Sequence, residues 1–327
     1  MRKFASLLFA ALALAPALAR ADDAACDALP PVPAALAKAS LVEEYHSTLK
    51  LCAGPGGAER IATREMRIGG RAALLTVDPA SLSTQVQAAS CWRCRDVEED
   101  ALASTRFLRD VDRSAEAPGL TKRGFLQNAG LTHGGSEGAF LTGDLCPSTK
   151  PLERGFLERL GAEGAHAPIS LSISGLWLTH HFDDYRWLLD RQASGALDIT
   201  WVNHTYHHQF KRGAPFDHNF MLTPGVDPDA EILDTERLLI ANGQTPSVFF
   251  RFPGLISSAP LMQAARRHHL ISLGADAWLA LREKPTPGSI VLVHANGNEP
   301  AGLKIYTHDV DIGAMPKPLE PLTDAPP

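Results

Sequence analysis

The chain has 327 residues, 45% of them hydrophobic, and its 31 basic and 37 acidic residues give a formal net charge of −6. This length and composition allow a large core, built as one barrel-sized domain or as one domain with an extension. The acidic balance argues against nucleic acid as a partner, because nucleic-acid-binding domains concentrate positive charge.

Residues 1–21 have the pattern of a secretory signal peptide. Arg2 and Lys3 precede an apolar run at 4–18, and a small-x-small cleavage site follows at 19–21. The run is short for a membrane span and acidic residues follow it, so we expect cleavage after Ala21 and no stable span. Cleavage would leave 327 − 21 = 306 residues and remove three basic ones, which changes the net charge from −6 to −9. We therefore expect a periplasmic or secreted protein.

Residues 22–135 are predicted to form an N-terminal extension or small cap. They contain a Pro-rich segment at 30–33, a mixed-charge amphipathic stretch at 41–51, a strand-like run at 72–77 and a helical pattern at 98–111. No catalytic set of residues is evident in this part of the sequence.

The chain has five cysteines, which cannot all pair within one molecule, although some should pair in an oxidising compartment. Cys91 and Cys94 have the CxxC spacing of a thioredoxin-like redox site. The strand and helix that normally flank such a site are not evident, so structural disulfides are favoured over redox chemistry, which would need an exposed, low-pKa thiol at Cys91. The expected bridges are Cys26 with Cys52, and Cys146 with Cys91 or Cys94.

From residue 136 onward, short apolar runs alternate with helical patterns. Predicted strands lie at 138–142, 168–173, 197–202, 247–250, 270–273 and 289–293, and predicted helices at 152–160, 183–192, 230–241 and 259–268. This alternation predicts a mainly parallel sheet covered by helices, closed or nearly closed into a β/α barrel. The barrel domain is assigned to 136–312, and residues 313–327 form a Pro-rich tail.

Polar residues follow the ends of the predicted strands, where β/α barrels build their active sites. They are Asp144, His204, His208, Arg251, Asp276 and His294. Each of these residues, taken alone, could instead have a purely structural role, for example in a surface ion pair or as a helix cap. Two histidines four residues apart would project from one side of a helical turn. Together with one carboxylate, they form a ligand set for a divalent metal such as zinc.

Residues 136–300 resemble polysaccharide deacetylases of the NodB-homology type, carbohydrate esterase family 4. The segment 203–208 resembles the family's H-[ST]-x-x-H metal motif, and 251–254 resembles its R-x-P motif. The segment 140–144 lies where the family has T-F-D-D, 276–278 looks like a shortened D-x-x-D-W element, and 290–294 resembles the last strand with its catalytic histidine. The resemblance implies a distorted (β/α)7 barrel that hydrolyses N- or O-acetyl groups on a carbohydrate.

Carried over from the family, Asp144, His204 and His208 would bind a divalent metal, most simply Zn2+, which polarises the acetyl carbonyl and lowers the pKa of water. His294 would be the general acid. Arg251 and Asp276 would orient the catalytic groups. His207 should point elsewhere. The expected substrate is an acetylated polysaccharide or oligosaccharide, with N-acetyl groups the first choice.

The family normally has two consecutive Asp residues in its first motif, a base that pairs with the arginine and a metal ligand. Here Gly143 occupies the position assigned to the base. Asp276 is the first candidate to replace it and to pair with Arg251, and Glu299, Asp183 and Asp184 are the others. Installing Gly143→Asp is expected to raise activity. The alternative is a relative that binds envelope polysaccharide without turnover.

Overall fold

In the computed structural model, residues 26–116, 119–122 and 124–326 are described. The predicted signal peptide therefore lies outside the described residues. The N-terminal part forms a five-stranded antiparallel sheet in the order β4-β3-β2-β1-β5. Its strands are β1 (Val42–Ala53), β2 (Glu59–Ile68), β3 (Arg71–Val77), β4 (Thr84–Ala88) and β5 (Arg93–Asp96).

A helix and a small sheet connect this part to the barrel. The helix is α1 (Arg106–Glu116), and the sheet contains β6 (Leu120–Lys122), β7 (Phe125–Gln127) and, from later in the chain, Ile256–Ser257. The mixed-charge amphipathic stretch at 41–51 lies largely in strand β1. The helical pattern at 98–111 becomes helical only in its second half, after a short turn at Glu99–Ala101.

The barrel is built on a seven-stranded sheet whose neighbouring strands are all parallel. Its strands and helices, with β12 of the small sheet, are β8 (Phe140–Leu145), α2 (Arg154–Ala162), β9 (Ala167–Ile173), α3 (Gly175–His180), α4 (Phe182–Ala193), β10 (Leu197–Asn203), α5 (Pro228–Ala241), β11 (Phe249–Arg251), β12 (Ile256–Ser257), α6 (Ala259–Arg267), β13 (Ile271–Leu273), β14 (Ala277–Trp278), β15 (Ile290–His294) and α7 (Pro300–Asp311). The order β13-β11-β10-β9-β8-β15-β14 confirms the predicted distorted (β/α)7 barrel.

The strands of this sheet are apolar because both of its faces are covered. All six residues of β8 are buried, as are all five of β15. Such continuous burial is typical of parallel strands between helical layers. The polar side chains in β8 and β15, Thr142, Asp144 and His294, therefore need specific partners.

The N-terminal sheet packs against the barrel and shares its core. Ile61 and Phe107 belong to the same buried cluster as Val202 and Phe249 of the barrel strands. A buried ion pair also crosses this boundary, since Arg64 Nε on β2 lies 2.8 Å from Glu236 Oε2 on α5. The tail contributes as well, because Leu322 is buried in the same cluster.

Both predicted disulfide arrangements are wrong. The structure joins Cys26 to Cys91 and Cys52 to Cys94, and leaves Cys146 as a buried free thiol. Cys52 and Cys94 lie opposite each other on the paired strands β1 and β5, with Cα atoms 4.0 Å apart. The CxxC residues thus bond to different partners, so Cys91 is not the exposed thiol that the redox alternative requires.

Within the described part of the chain, no helix combines the length and the apolar character needed to cross a membrane.

Candidate active site

The strand ends of the barrel bring five of the six predicted residues together at one edge of the sheet. Asp144 on β8 lies opposite His294 on β15, and Arg251 ends β11. His204 and His208 belong to the loop that follows β10. Each of these five residues is at most 9% exposed, so every polar atom among them needs a partner or a ligand.

The two histidines are held by a strained loop rather than by the expected helical turn. Residues 204–208 are not helical, and Thr205 and His208 have φ values of 66° and 46°. Positive φ is rare for a β-branched residue such as threonine. The loop is stabilised by the Asn203 side chain, which accepts from the Thr205 amide, and by Thr205 Oγ1, which accepts from the His208 amide. The imidazole rings still meet, with centroids 4.7 Å apart.

The backbone fixes the ring of His204 in an orientation suited to metal binding. His204 Nδ1 lies 2.8 Å from the Arg251 carbonyl oxygen, to which it donates a hydrogen bond. A donating Nδ1 leaves Nε2 with its lone pair free, which is the usual arrangement of a metal-ligating histidine. Nε2 faces the cluster, 3.6 Å from Asp144 Oδ2. His207, by contrast, turns away, and its Nδ1 lies 2.7 Å from Glu231 Oε1.

Arg251 is completely buried and pairs with Asp144. Its Nη1 donates to Asp144 Oδ1 at 2.9 Å and to Thr142 Oγ1 at 2.7 Å, and its Nη2 donates to the Gly274 carbonyl at 3.0 Å. Burial alone raises the pKa of Asp144, but the Arg251 guanidinium and then His204 and His294 outweigh it and lower the pKa to about 2. The Asp144 carboxylate is therefore ionised at neutral pH.

Cys146 also joins this cluster as a free thiol, although it was expected to form a disulfide. Its Sγ lies 3.6 Å from His204 Nε2. Burial raises the pKa of Cys146, yet His208 and His294 hold it well below its usual value, which favours the thiolate. Its position two residues beyond Asp144 is the signal in the sequence that identifies it as a site residue.

The described residues contain two sets of three side chains whose ligand atoms lie within 4.8 Å of one another. One set is Cys146, His204 and His208, and the other is Asp144, Cys146 and His294. His208 Nε2 is buried without a hydrogen-bond partner. Imidazole, thiolate and carboxylate donors around such an orphaned nitrogen fit a zinc-type cation, because zinc accepts all three ligand types.

His294 is oriented by Glu299 from the loop after β15. Glu299 Oε2 accepts from Trp278 Nε1 at 2.9 Å and lies 2.9 Å from His294 Nδ1, at ion-pair distance but without hydrogen-bond alignment. Burial lowers the pKa of His294, but Cys146, Glu299 and Asp144 together raise it well above the usual value. These neighbours therefore favour the protonated imidazolium of His294, which can donate a proton.

Asp276 does not join the cluster, and the expected contact with Arg251 is wrong. Its Oδ2 lies 2.7 Å from His133 Nδ1, and its Oδ1 accepts from the Ile290 amide at 3.0 Å. Ile290 begins β15 whereas His294 ends it, so Asp276 lies near the amino end of that strand. Asp184, another candidate base, is bound to Arg154 at the surface.

Gly143 does not face the cluster. A side chain there would meet Leu171 Cδ2 at 3.2 Å and, further off, Ala295 and Ile169. Neighbouring residues of a strand point to opposite faces, so position 143 lies under the helices while Thr142 and Asp144 point inward. The structure therefore leaves no place for a base at position 143.

A cavity of about 830 Å³ opens onto this cluster. Cys146, His208 and His294 reach its floor, and Phe210, Phe220 and Trp278 are among the residues that line it. Phe220 packs edge-on against His208, with ring centroids 5.6 Å apart. A concave site with aromatic walls and a few convergent polar groups is typical of a small-molecule or sugar pocket.

No protein-family model matches the chain. Similar solved structures include a family 4 carbohydrate esterase from Bacillus anthracis (18% identity, 61% of this chain and 87% of that chain, TM-score 0.45). Another is a family 4 carbohydrate esterase from Bacillus subtilis (16%, 71% and 90%, TM-score 0.44). A third is a pseudoenzyme of the same family from Bacillus anthracis (16%, 60% and 67%, TM-score 0.41). All three belong to carbohydrate esterase family 4, which is the family that the sequence motifs resemble.

Proposed function

We propose that this protein is a metal-dependent deacetylase that hydrolyses acetyl groups, N-acetyl in the first place, from a polysaccharide or oligosaccharide. The observation that carries the proposal is that Asp144, Cys146, His204 and His208 lie together beside His294, and that Cys146, His208 and His294 line the aromatic cavity. The motif resemblance at 203–208 and 251–254 supplies the reaction class.

His204 and His208 would hold the metal together with an anionic side chain from the end of β8. When bound, a zinc-type ion supplies Lewis-acid polarisation of the acetyl carbonyl and lowers the pKa of water. The backbone bond of His204 Nδ1 to Arg251 and the buried, unpartnered Nε2 of His208 support this assignment.

His294 would supply the proton that the leaving group needs. As water oxygen bonds to the acetyl carbon and the carbon–nitrogen bond breaks, His294 donates its proton to the departing sugar amine, and acetate is the other product. Glu299 positions His294 and favours its protonated form. Arg251 holds the carboxylate of Asp144 in its ionised state beside the reacting groups.

We also infer that the protein is exported and works in the periplasm or outside the cell. The signal-like pattern at 1–21 supports this, and so do two disulfides, because such bonds persist mainly in oxidising compartments. Amino-terminal sequencing of protein recovered from an envelope or culture fraction checks the predicted cleavage after Ala21.

Acetate release from N- and O-acetylated glycans tests the proposed function. Wild-type protein should release acetate, and His294→Asn should lower the rate by about 10²–10⁴-fold because the general acid is lost. His46→Asn, which changes an exposed histidine on β1, is the matched control and should keep the rate. Glycan binding without acetate release from any substrate would instead support the non-catalytic alternative.

A further inference from the structure

We propose that Cys146 is the third protein ligand of the metal, with His204 and His208, and that Asp144 acts as the proton acceptor and is not a ligand. The assignment of Cys146 concerns the metal site alone, whereas the role of Asp144 rests on the proposed function.

The three donors of the proposed set already converge. The ligand atoms of Cys146, His204 and His208 lie within 4.8 Å of one another, all three side chains are buried, and Cys146 Sγ faces His204 Nε2 at 3.6 Å. His208 Nε2 has no other partner. Cys146 is also the free cysteine of the chain, since the other four are paired in disulfides. Two imidazoles and one thiolate make a three-ligand zinc site that keeps a position open for substrate.

Asp144 is placed differently. One of its oxygens accepts from Arg251 Nη1 at 2.9 Å, so a fully buried guanidinium already neutralises its charge. Within the described residues, Asp144 belongs to a set of three side chains whose ligand atoms lie within 4.8 Å of one another. The other two members are Cys146 and His294, and His208 is not among them. Its other oxygen, Oδ2, lies 3.6 Å from His204 Nε2, beside the proposed metal position. A carboxylate that Arg251 holds close to both the ligand His204 and the proton donor His294 is placed to accept a proton from water there.

The proposed hydrolysis needs no reagent other than water. Water oxygen forms a bond to the acetyl carbon while Asp144 takes the water proton. The carbon–nitrogen bond then breaks as His294 gives its proton to the amine. Asp144 thus takes the role of the base that Gly143 cannot supply, and Arg251 holds it in place.

Cobalt substitution of the full-length chain tests the ligand set directly. The probe is Co2+ added to chelator-treated protein, because a thiolate ligand produces a near-ultraviolet charge-transfer band. We expect this band in the wild type and in Asp144→Asn, with one metal ion bound in each. It should disappear in Cys146→Ser, and zinc affinity should fall by at least about tenfold. Asp144→Asn should lower acetate release by about 10²–10⁴-fold while it retains the metal.

Alkylation of Cys146 is a second measurement. It is made on wild-type protein and therefore does not depend on whether a variant folds. Saturating zinc should slow the reaction of the thiol with iodoacetamide by more than tenfold. Equal alkylation with and without zinc, an absent charge-transfer band, or loss of the metal in Asp144→Asn with retention in Cys146→Ser would overturn the ligand assignment. A thiolate band without acetate release from any glycan would contradict the proposed function and the role of Asp144, but not the ligand set.

Discussion

The environment of His294 determines the pH range over which it can donate a proton. Glu299 is one of the groups that raise the pKa of His294. In Glu299→Gln this contribution is lost and the pKa falls, so the protonated acid disappears at a lower pH. The alkaline limb of the pH–rate profile for acetate release should therefore move to lower pH, and the maximal rate should drop because His294 is no longer oriented.

The matched control for this change is Glu283→Gln. Glu283 accepts from the Trp278 backbone amide and does not contact His294. The pH–rate profile of Glu283→Gln should superimpose on that of the wild type. An unchanged profile in Glu299→Gln as well would show that Glu299 does not position the acid.

Position 143 offers a second test at the scale of one residue. Contrary to the expectation from the sequence, Gly143→Asp should not raise activity and should lower the free energy of unfolding, because the carboxylate would be forced among Leu171, Ile169 and Ala295. Gly143→Ala adds only a methyl group, so the comparison of the two variants separates the effect of steric crowding from the effect of the buried charge. Denaturant unfolding of the two variants measures the difference, and a Gly143→Asp protein as stable as Gly143→Ala but more active would contradict the orientation described here.

At the scale of elements, the N-terminal sheet is fastened to the barrel by the ion pair between Arg64 on β2 and Glu236 on α5, both almost fully buried. Tyr45 also donates to Glu236. Arg64→Met should cost about 3–5 kcal/mol in the free energy of unfolding, because it leaves a buried carboxylate without its partner.

The double variant Arg64→Met/Glu236→Leu should recover much of that loss, since neither buried charge remains. Arg159→Met, which removes an exposed ion pair with Asp311, should change stability by less than about 1 kcal/mol. Denaturant titration measures all three. An Arg64→Met protein as stable as the wild type would mean that this ion pair does not stabilise the packing of the N-terminal sheet against the barrel.

The barrel strands were predictable because each is a short apolar run bounded by polar or turn residues. The predicted runs at 168–173 and 197–202 correspond to Ala167–Ile173 and Leu197–Asn203. β14 was missed because it has only two residues. In the N-terminal part, β1 carries charges on an exposed face and resembles an amphipathic helix until its partner strands are known.

At the scale of the whole molecule, the disulfide pairing and part of the active site depend on three-dimensional contacts that the local sequence pattern does not show. The disulfide between Cys52 and Cys94 follows from the register of β1 against β5, which no spacing in the sequence reveals. Cys146 and Glu299 reach the site for the same reason, since both lie in loops whose course depends on the curled parallel sheet. By contrast, His204, His208 and His294 carried a recognisable motif and could be found from the sequence.

The central claim is that a divalent metal bound among these side chains makes the protein a deacetylase. Chelator-treated protein should be inactive on an acetylated glycan, and acetate release should rise linearly with added Zn2+ until one equivalent is bound. His204→Ala should neither bind the ion tightly nor regain activity. Full activity of protein shown to be metal-free, or one equivalent of bound zinc with no acetate release from any acetylated glycan, would contradict the account.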